Sequence, residues 1–556
     1  MIYLIYYVSR HHDFRACEVA SICNLFGVKY QFLTKLGYED IFQIISLPHD
    51  EIAKLISSRC VLVKSISRYL GSGSNHEECI ADTLNNFKNN FNNVKEYLEN
   101  DKDFKFESPK FVQRIPQKEK LLIFDSYIKS FPSISSNCSV SLSNPKVCFL
   151  LANSTNKSHI LSVSTKKVQH YQDLMVSAES AGLYSPMPIE HGVPSSLPDI
   201  VFCAHSMPHS TARSLIPTYS LTKRLFLGPT SMDTELSLVM CNLACVSATS
   251  VCLDPFCGSG SILVALSIFG GLVFGSDLNR DAFLKRKRVK KRALGISEAV
   301  ASSWCHYTPK EMLRMQRSHR DLLASSRVSI SEEEQRISAS SHDHTEHISD
   351  LQKNTMEVDM FSNFDDYGLP HPLVMCADAS DHPICMNIDA IVCDPPYGIR
   401  AGCRVSSDPS SMQVETGETS NSIGKRRQLK EKDGSESSIV SPSATHSKWA
   451  GSKTFNTDMC GLYLETLNLS VQKLSLCKRV VFFMPVILSS VSPDHFPKHN
   501  CLKLICACLQ PLTTKTGRIC LCYEKIRKDD GSKAYFECEP AQRKYRETLF
   551  KLDSTK

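Results

Sequence analysis

The stretch Cys393-Asp394-Pro395-Pro396-Tyr397-Gly398 combines groups that can act together on one planar amine. Two consecutive prolines stiffen the chain and supply carbonyls without N–H donors. The Asp394 side chain and the Pro395 carbonyl can therefore both accept hydrogen bonds from one exocyclic NH2, while Tyr397 offers a flat face to the base that carries it. The lone pair of a nucleobase amine is delocalised into its ring and attacks poorly. Two fixed acceptors pull that amine towards tetrahedral geometry and stabilise the positive charge developing on nitrogen. Such a corner suits methylation of an amine nitrogen by a sulfonium donor that is already reactive, with alignment contributing roughly 7–11 kcal/mol. Taken alone, the same residues also read as a rigid turn that ends a strand.

A second stretch lies upstream: Leu253-Asp254-Pro255-Phe256-Cys257-Gly258-Ser259-Gly260-Ser261. Glycines between a strand and a helix let backbone N–H groups approach a ligand at the helix N-terminus. The dinucleotide fingerprint asks for a further glycine where Leu263 stands, so a ligand bearing a carboxylate and an amine suits this loop better than a pyrophosphate. Asp277, in Phe274-Gly275-Ser276-Asp277-Leu278-Asn279, can accept from both ribose hydroxyls of an adenosyl group. Asp378, in Cys376-Ala377-Asp378-Ala379-Ser380, can hold the adenine amine. Each acid by itself reads equally well as a cap. Their recurrence at successive strand ends favours a ligand, because open α/β sheets bind at their carboxyl edge.

The elements needed to position these groups are legible. Asp233 to Val246 has apolar residues at helical spacing, with Thr230-Ser231 suited to start it. Val251 to Leu253, Leu272 to Phe274, Leu373 to Met375, Ala390 to Val392 and Val480 to Phe483 are short apolar runs, and Ile262 to Ile268 is helix-like. That alternation predicts a doubly wound, parallel α/β sheet over 221–525. Residues 1–160 mix aromatic strand-like runs with polar helical stretches and predict an α+β region. Residues 161–220, rich in Ser, Pro and His, read as a connector, and 526–556 as a polar tail. Segments 305–358 and 405–450 carry few apolar residues and are expected to be solvated insertions.

The chain has 556 residues, 42% of them hydrophobic and 22% charged, with a net charge of +6. That excludes fibrous and wholly disordered classes and allows a local nucleic-acid-binding patch without requiring one. Its 24 cysteines include no Cys-x-x-Cys pair. The opening Met1 to Ile5 lacks a basic leader, and the most apolar stretch, Ser261 to Gly275, is short and broken by glycine. These features point to a soluble, cytoplasmic chain with reduced thiols and no membrane span.

The motifs resemble the amino-methyltransferases that use S-adenosylmethionine. More narrowly, they resemble the catalytic subunit of the eukaryotic tRNA (guanine-10-N2)-methyltransferase. Lys223 to Leu236 is similar to that family's segment before the cofactor loop, and its Gly228, Thr230, Ser231 and Asp233 fall where the family closes over the methionine end of the donor. Asn363-Phe364 and Tyr367-Gly368-Leu369 resemble the lead-in to the adenine acid, and Asp394 to Arg400 the signature. His11 to Arg15 with Glu18 resembles the opening strand and helix, and Ser143-Asn144-Pro145 the end of a THUMP-containing region. The resemblance implies a Rossmann-like methyltransferase domain behind that region, and N2-methylation of guanosine 10 in an extruded tRNA base. It also implies a THUMP region gripping the acceptor end and a small zinc-binding activator subunit. The cofactor set it implies is Thr230, Asp233, Asp254, Phe256, Gly258, Gly260, Asp277, Leu278, Asp378 and Ala379; the catalytic set is Asp394, Pro395, Pro396 and Tyr397.

Other features carry less. The run Lys285 to Arg292 reads as the solvated face of a helix or as an RNA-backbone contact through Lys287, Lys290 and Lys291; Arg400 and Arg404, at the rim of the base pocket, read as phosphate partners or as surface. His342, His344 and His347, and Cys203 with His205 and His209, lack the makings of a metal site, so none is expected. Cys241 and Cys245 read as one buried helix face. Two rivals stay open: an amino-methyltransferase for another planar amine (DNA or RNA adenine, another tRNA or rRNA guanine, or a protein amine), and a catalytically silent tRNA-binding subunit.

Overall fold

The computed structural model describes residues 1–36, 40–89, 103–108, 116–131, 140–143, 145–153, 197–205, 211–290, 355–397, 404–405, 455–456, 459–513 and 515–538. Two seven-stranded sheets dominate it. The first holds β1 (Ile2–Tyr7), β2 (Gln31–Phe32), β3 (Phe42–Ser46), β4 (Val63–Gly73), β5 (Phe104–Glu107), β6 (Val147–Asn153) and β7 (Ile200–His205). Its order is β2-β3-β1-β4-β7-β6-β5. All its pairs are antiparallel except β5–β6. Helices Phe14–Leu25, Asp50–Arg59, His76–Asn89 and Gln117–Ser130 accompany it, which makes the region α+β. Strand β7 lies inside the stretch read as a connector, yet it pairs with both β4 and β6 at mid-sheet. Its six residues, Ile-Val-Phe-Cys-Ala-His, are apolar enough for a central strand; the surrounding Ser and Pro masked that signal.

The second sheet holds β8 (Val251–Asp254), β9 (Leu272–Asp277), β12 (Leu373–Cys376), β13 (Ile388–Cys393), β16 (Leu474–Ile487), β17 (Leu502–Pro511) and β18 (Thr516–Lys525). Its order is β12-β9-β8-β13-β16-β18-β17, parallel from β12 through β16. The last two strands are antiparallel because a hairpin joins them; a parallel neighbour would need a long crossover. Successive residues feed opposite faces. Cys252, Ala390, Val392, Val481 and Phe483 pack with helices Thr234–Leu243 and Ser261–Ile268. Leu253, Ile391, Cys393, Val480 and Phe482 pack with helix Met459–Lys473. This is a Rossmann-like, doubly wound sheet. Part of the stretch read as a tail also packs on this domain: Tyr535 exchanges backbone hydrogen bonds with Lys498, and Ala534 is buried in its core.

Two small ladders bracket the long polar segments. Strands β10 (Lys287–Lys290) and β11 (Thr355–Val358) pair antiparallel, as do β14 (Arg404–Val405) and β15 (Phe455–Asn456). The basic run is therefore a strand where it is described, not a helix face, and the first insertion ends before Thr355 because Thr-Met-Glu-Val completes the ladder. Lys291, Arg400, the three insertion histidines and His209 lie outside the described residues. Among the described residues every cysteine is a free thiol, and no helix is long and apolar enough to cross a membrane.

The two sheets are joined through buried polar groups. Both Glu18 carboxylate oxygens accept backbone N–H groups, from Val61 and Leu62, each at 2.9 Å; Asn242 Nδ2 donates to Glu18 at 2.7 Å. Asn242 Oδ1 accepts from Arg59 Nε at 2.7 Å, and the Arg59 guanidinium lies over the Phe269 ring. Arg479 Nη1 donates to Ser21 Oγ and to the Leu243 carbonyl. Burial pushes the Glu18 carboxyl up from 4.5 to about 7, against the hydrogen bonds that favour its ionised form. A folded pKa above the unfolded one means that the stability this group contributes is complete below the unfolded value and is lost as pH rises through about 7. The shift corresponds to about 3 kcal/mol. Denaturant unfolding is expected to show lower stability at about pH 8 than at about pH 5, and Glu18→Gln is expected to flatten that dependence. An unchanged slope in Glu18→Gln would contradict the assignment.

Candidate active site

Four acids stand at the carboxyl edge of four adjacent strands. In spatial order they are Asp378 after β12, Asp277 ending β9, Asp254 ending β8 and Asp394 after β13. The chain runs outward from β8 to β9 and β12 and then returns to the other side as β13. The cleft between Asp254 and Asp394 is therefore the topological switch point, where such sheets bind ligands. The charges sense one another. Burial first, then Asp277 and Asp394, push the Asp254 carboxyl well above its usual range; burial also raises Asp277 and Asp394.

The glycine loop is held by these same acids. Asp254 Oδ1 accepts from Phe256 N at 3.0 Å. Asp277 Oδ2 accepts from Gly258 N at 2.9 Å and its Oδ1 from Asn279 N at 2.8 Å. Gly260 N donates to the Cys257 carbonyl at 2.8 Å. Of the loop N–H groups, those of Gly258 and Gly260 are thus engaged within the protein, and Asp277 pins the loop to β9. Both glycines have positive φ, 50° at Gly258 and 81° at Gly260. A Cβ on Gly258 would meet open space, whereas one on Gly260 would lie 2.7 Å from Met360 Sδ.

The segment before the loop docks on it. A Cβ on Gly228 would fall 2.9 Å from Ser259, and Ser231 Oγ lies 3.1 Å from Ser259 Oγ. The start of the following helix also differs from expectation. Asp233 caps helix Thr234–Leu243, accepting from Glu235 N at 3.0 Å and Leu236 N at 3.4 Å; Thr230 and Ser231 do not. Both Thr230 and Asp233 are exposed. At the far end Asp378 Oδ1 accepts from Ser380 N at 2.9 Å, while the buried Ser380 Oγ has no protein partner. Phe256 and Leu278 are half-buried beside their acids, and Ala379 is buried. His382 Nε2 meets Ser276 Oγ at 2.9 Å behind β9, and burial lowers that imidazole to about 4.

Asp394, Pro395, Pro396 and Tyr397 follow β13 directly. The Tyr397 hydroxyl donates to Asp394 Oδ1, so the ring is tethered to the carboxylate rather than standing free. Arg518 Nη1 lies 3.5 Å from Asp394 Oδ2 and 3.4 Å from the Tyr397 hydroxyl; its guanidinium covers the Phe483 ring at 4.0 Å. Arg518 and the Tyr397 hydroxyl oppose the burial that raises the Asp394 carboxyl. Arg518 escaped the sequence reading because it stands on β18, brought beside β13 only by the strand order; no local motif marks it. Of the basic candidates, Lys287 donates to the Leu227 carbonyl at 2.6 Å and covers the Phe226 ring. It pins the segment before the glycine loop. The backbones of Lys290 and Arg404 lie in the two small ladders. The two glycines separate folding from binding. Gly260→Ala is expected to cost about 1–3 kcal/mol in unfolding free energy through its positive φ and the Met360 contact. Gly258→Ala should cost less in a melt but weaken methyl-donor binding more in calorimetry; the reverse ranking would contradict the open cradle.

Comparison with known proteins places this edge in context. Residues 1–176 match the Tmrp11 THUMP N-terminal domain, and residues 222–408 match the RMKL-like methyltransferase domain. The chain is 25% identical over 536 residues to tRNA (guanine(10)-N(2))-methyltransferase TRMT11 of Pongo abelii, covering 96% of this chain and 90% of that one. It is 24% identical to the Homo sapiens protein of the same name over the same shares. It is likewise 24% identical to that of Dictyostelium discoideum, covering 94% of this chain and 82% of that one. Against the crystal structure of TrmN from Thermus thermophilus the TM-score is 0.34 at 11% identity, with 95% and 100% of the two chains covered. A methyltransferase domain of this kind implies S-adenosylmethionine as cofactor. Two features leave room for that molecule: the open space beside Gly258, and Ser380 Oγ, which has no protein hydrogen-bond partner, beside Asp378. The chain is a methyltransferase with a THUMP-containing N-terminal region, homologous to the tRNA (guanine(10)-N(2))-methyltransferases.

Proposed function

We propose that the chain methylates N2 of guanosine 10 in tRNA, with the target base extruded into the corner formed by Asp394, Pro395, Pro396 and Tyr397. One observation carries the reading: Asp394 faces Asp254 across the switch point, so an amine held at Asp394 meets whatever the Asp378–Asp277–Asp254 row holds. On this reading Asp378 takes the adenine amine, Asp277 the ribose hydroxyls through lone pairs that the loop leaves over, and the edge near Asp254 the methionine end. Phe256, Gly258, Gly260, Leu278 and Ala379 line that path, and Thr230 and Asp233 close over it. S-adenosylmethionine supplies an electrophilic methyl carbon and a positive charge that suits four carboxyl groups.

The chain's own residues then do the following. Asp394 Oδ2 and the Pro395 carbonyl each accept one N–H of the guanine amine. An ionised carboxylate offers about four lone-pair sites, so the Tyr397 and Arg518 contacts leave room for that bond. Tyr397, tethered through its hydroxyl, holds its ring as a fixed platform. Pro396 keeps the turn stiff. As positive charge builds on nitrogen, Asp394 stabilises it and then takes the surplus proton at Oδ2, a task that its raised pKa suits. The names of the TRMT11 homologues support tRNA guanine as the substrate, and the THUMP match supports an N-terminal grip on the acceptor end. The same resemblance supports a small zinc-binding activator subunit and a cytoplasmic site of action, which the free thiols fit. Contacts from Lys287, Lys290, Lys291, Arg400 and Arg404 to tRNA phosphates complete the proposal; neutralising Lys287, Lys290 and Lys291 together should weaken tRNA binding and flatten its salt dependence.

Labelled donor incubated with unmodified tRNA, with and without a candidate activator, should place label in N2-methylguanosine at position 10. Label in methyladenosine, or donor binding absent where tRNA binds, would overturn the proposal. Asp394→Ala is expected to abolish transfer and leave donor affinity within about a few-fold, because its acceptors face the base. Asp277→Ala is expected instead to weaken donor binding, and a mutant of unchanged donor affinity would contradict the ribose role. Arg518→Met removes a charge that holds the Asp394 carboxyl down. Its acid limb of kcat should therefore move to higher pH, and an unmoved or lowered limb would show that Arg518 does not tune the carboxylate.

A further inference from the structure

The last hairpin of the second sheet carries Cys-x-Cys on both strands, Cys506 and Cys508 on β17 and Cys520 and Cys522 on β18. Register sets Cys506 opposite Cys522 and Cys508 opposite Cys520. The two-residue period of a strand turns all four to one face, and they pack in the same core cluster as Phe14 of helix Phe14–Leu25. That helix contributes Cys17. The sulfurs of Cys17, Cys506 and Cys508 lie within 4.8 Å of one another, on residues that are half-buried, buried and buried.

We propose that Cys17, Cys506 and Cys508 bind a thiolate-seeking d10 cation, zinc(II) or a congener, and so clamp the N-terminal region to the methyltransferase sheet. Zinc–sulfur bonds of about 2.3 Å need sulfurs about 3.8 Å apart, a small contraction of the spacing present. Binding replaces three S–H bonds with three S–metal bonds and releases three protons to solvent. A divalent ion on three thiolates carries a net negative charge, and the field of the buried Arg479 guanidinium, which also pairs with Glu524, reaches Cys17. Cys522 stands opposite Cys506 in the strand register. This site is remote in role from the carboxyl edge and stands whether or not the proposed substrate is right.

The test is titration of the reduced, chelator-treated full chain with cadmium(II), read by the sulfur-to-metal charge-transfer absorbance, followed by displacement with zinc(II). One equivalent should saturate the band. Cys17→Ser and Cys508→Ser should each lose it, while Cys477→Ser and Cys538→Ser, at exposed positions, should keep it. Alkylation of the wild-type chain read by peptide mass gives a second measure that needs no variant: bound metal should protect Cys17. No band, a band that survives in Cys17→Ser and Cys508→Ser, or a Cys17 alkylated equally with and without metal would each overturn the site.

Discussion

Four carboxyl groups crowded along one sheet edge set the terms for everything around them. Like charges in a partly buried row repel and lose solvation, and burial pushes Asp254, Asp277 and Asp394 above the ordinary carboxylate range. The chain tolerates this because each acid also accepts from its own neighbourhood. Asp254 holds Phe256 N, Asp277 holds Gly258 N and Asn279 N, Asp378 holds Ser380 N, and Asp394 holds the Tyr397 hydroxyl beside Arg518. These contacts shape the loops but leave lone pairs over. A cationic ligand rich in donors completes such an edge, and a donor molecule with an amine, a diol, an adenine and a sulfonium is one.

The N-terminal region packs on a helix whose preceding segment reaches that edge. Asn242 binds both Glu18 and Arg59 from helix Thr234–Leu243, and Arg479 ties Ser21 to the end of the same helix. At the other end of the helix Asp233 caps the first turn, next to the segment whose Gly228 and Ser231 press on Ser259 of the glycine loop. Arg10, His11 and Arg213 converge on Glu235 in that first turn. The helix is thus gripped along its length by residues of the N-terminal region together with Arg213 and Arg479, while the segment before it packs on the glycine loop. A thiol-held metal at Cys17 would add a second tie to the same interface.

The parallel core was legible because its strands carry short apolar runs set between helical patterns, and the motif acids end those strands or follow them within two residues. What escaped has physical reasons. Strand β7 was diluted by Ser and Pro on both sides, so composition averaged over a window hid five apolar residues. The basic run Lys287–Lys290 carries no apolar period at all, and only its partner strand β11 makes it a strand. Thr230 and Ser231 looked like a cap because hydroxyls cap well, yet Asp233 is the one placed to accept two backbone N–H groups. Arg518 and the cysteine cluster depend on β18 and β17 lying where they do, and strand order is a tertiary fact that local spacing does not encode. The motif does not reveal that Gly258 N donates to Asp277, because that acceptor comes within reach only with β9 beside β8.

A crystal structure of the chain with bound S-adenosylhomocysteine tests the central claim most directly. The sulfur should sit in the cleft between the ends of β8 and β13, with adenine beside Asp378 and Ser380 Oγ, the ribose on Asp277 and the Asp394 carboxylate facing the vacant methyl position. Ligand bound away from that edge, or the Asp394 corner turned from the sulfur and closed to a base, would contradict it.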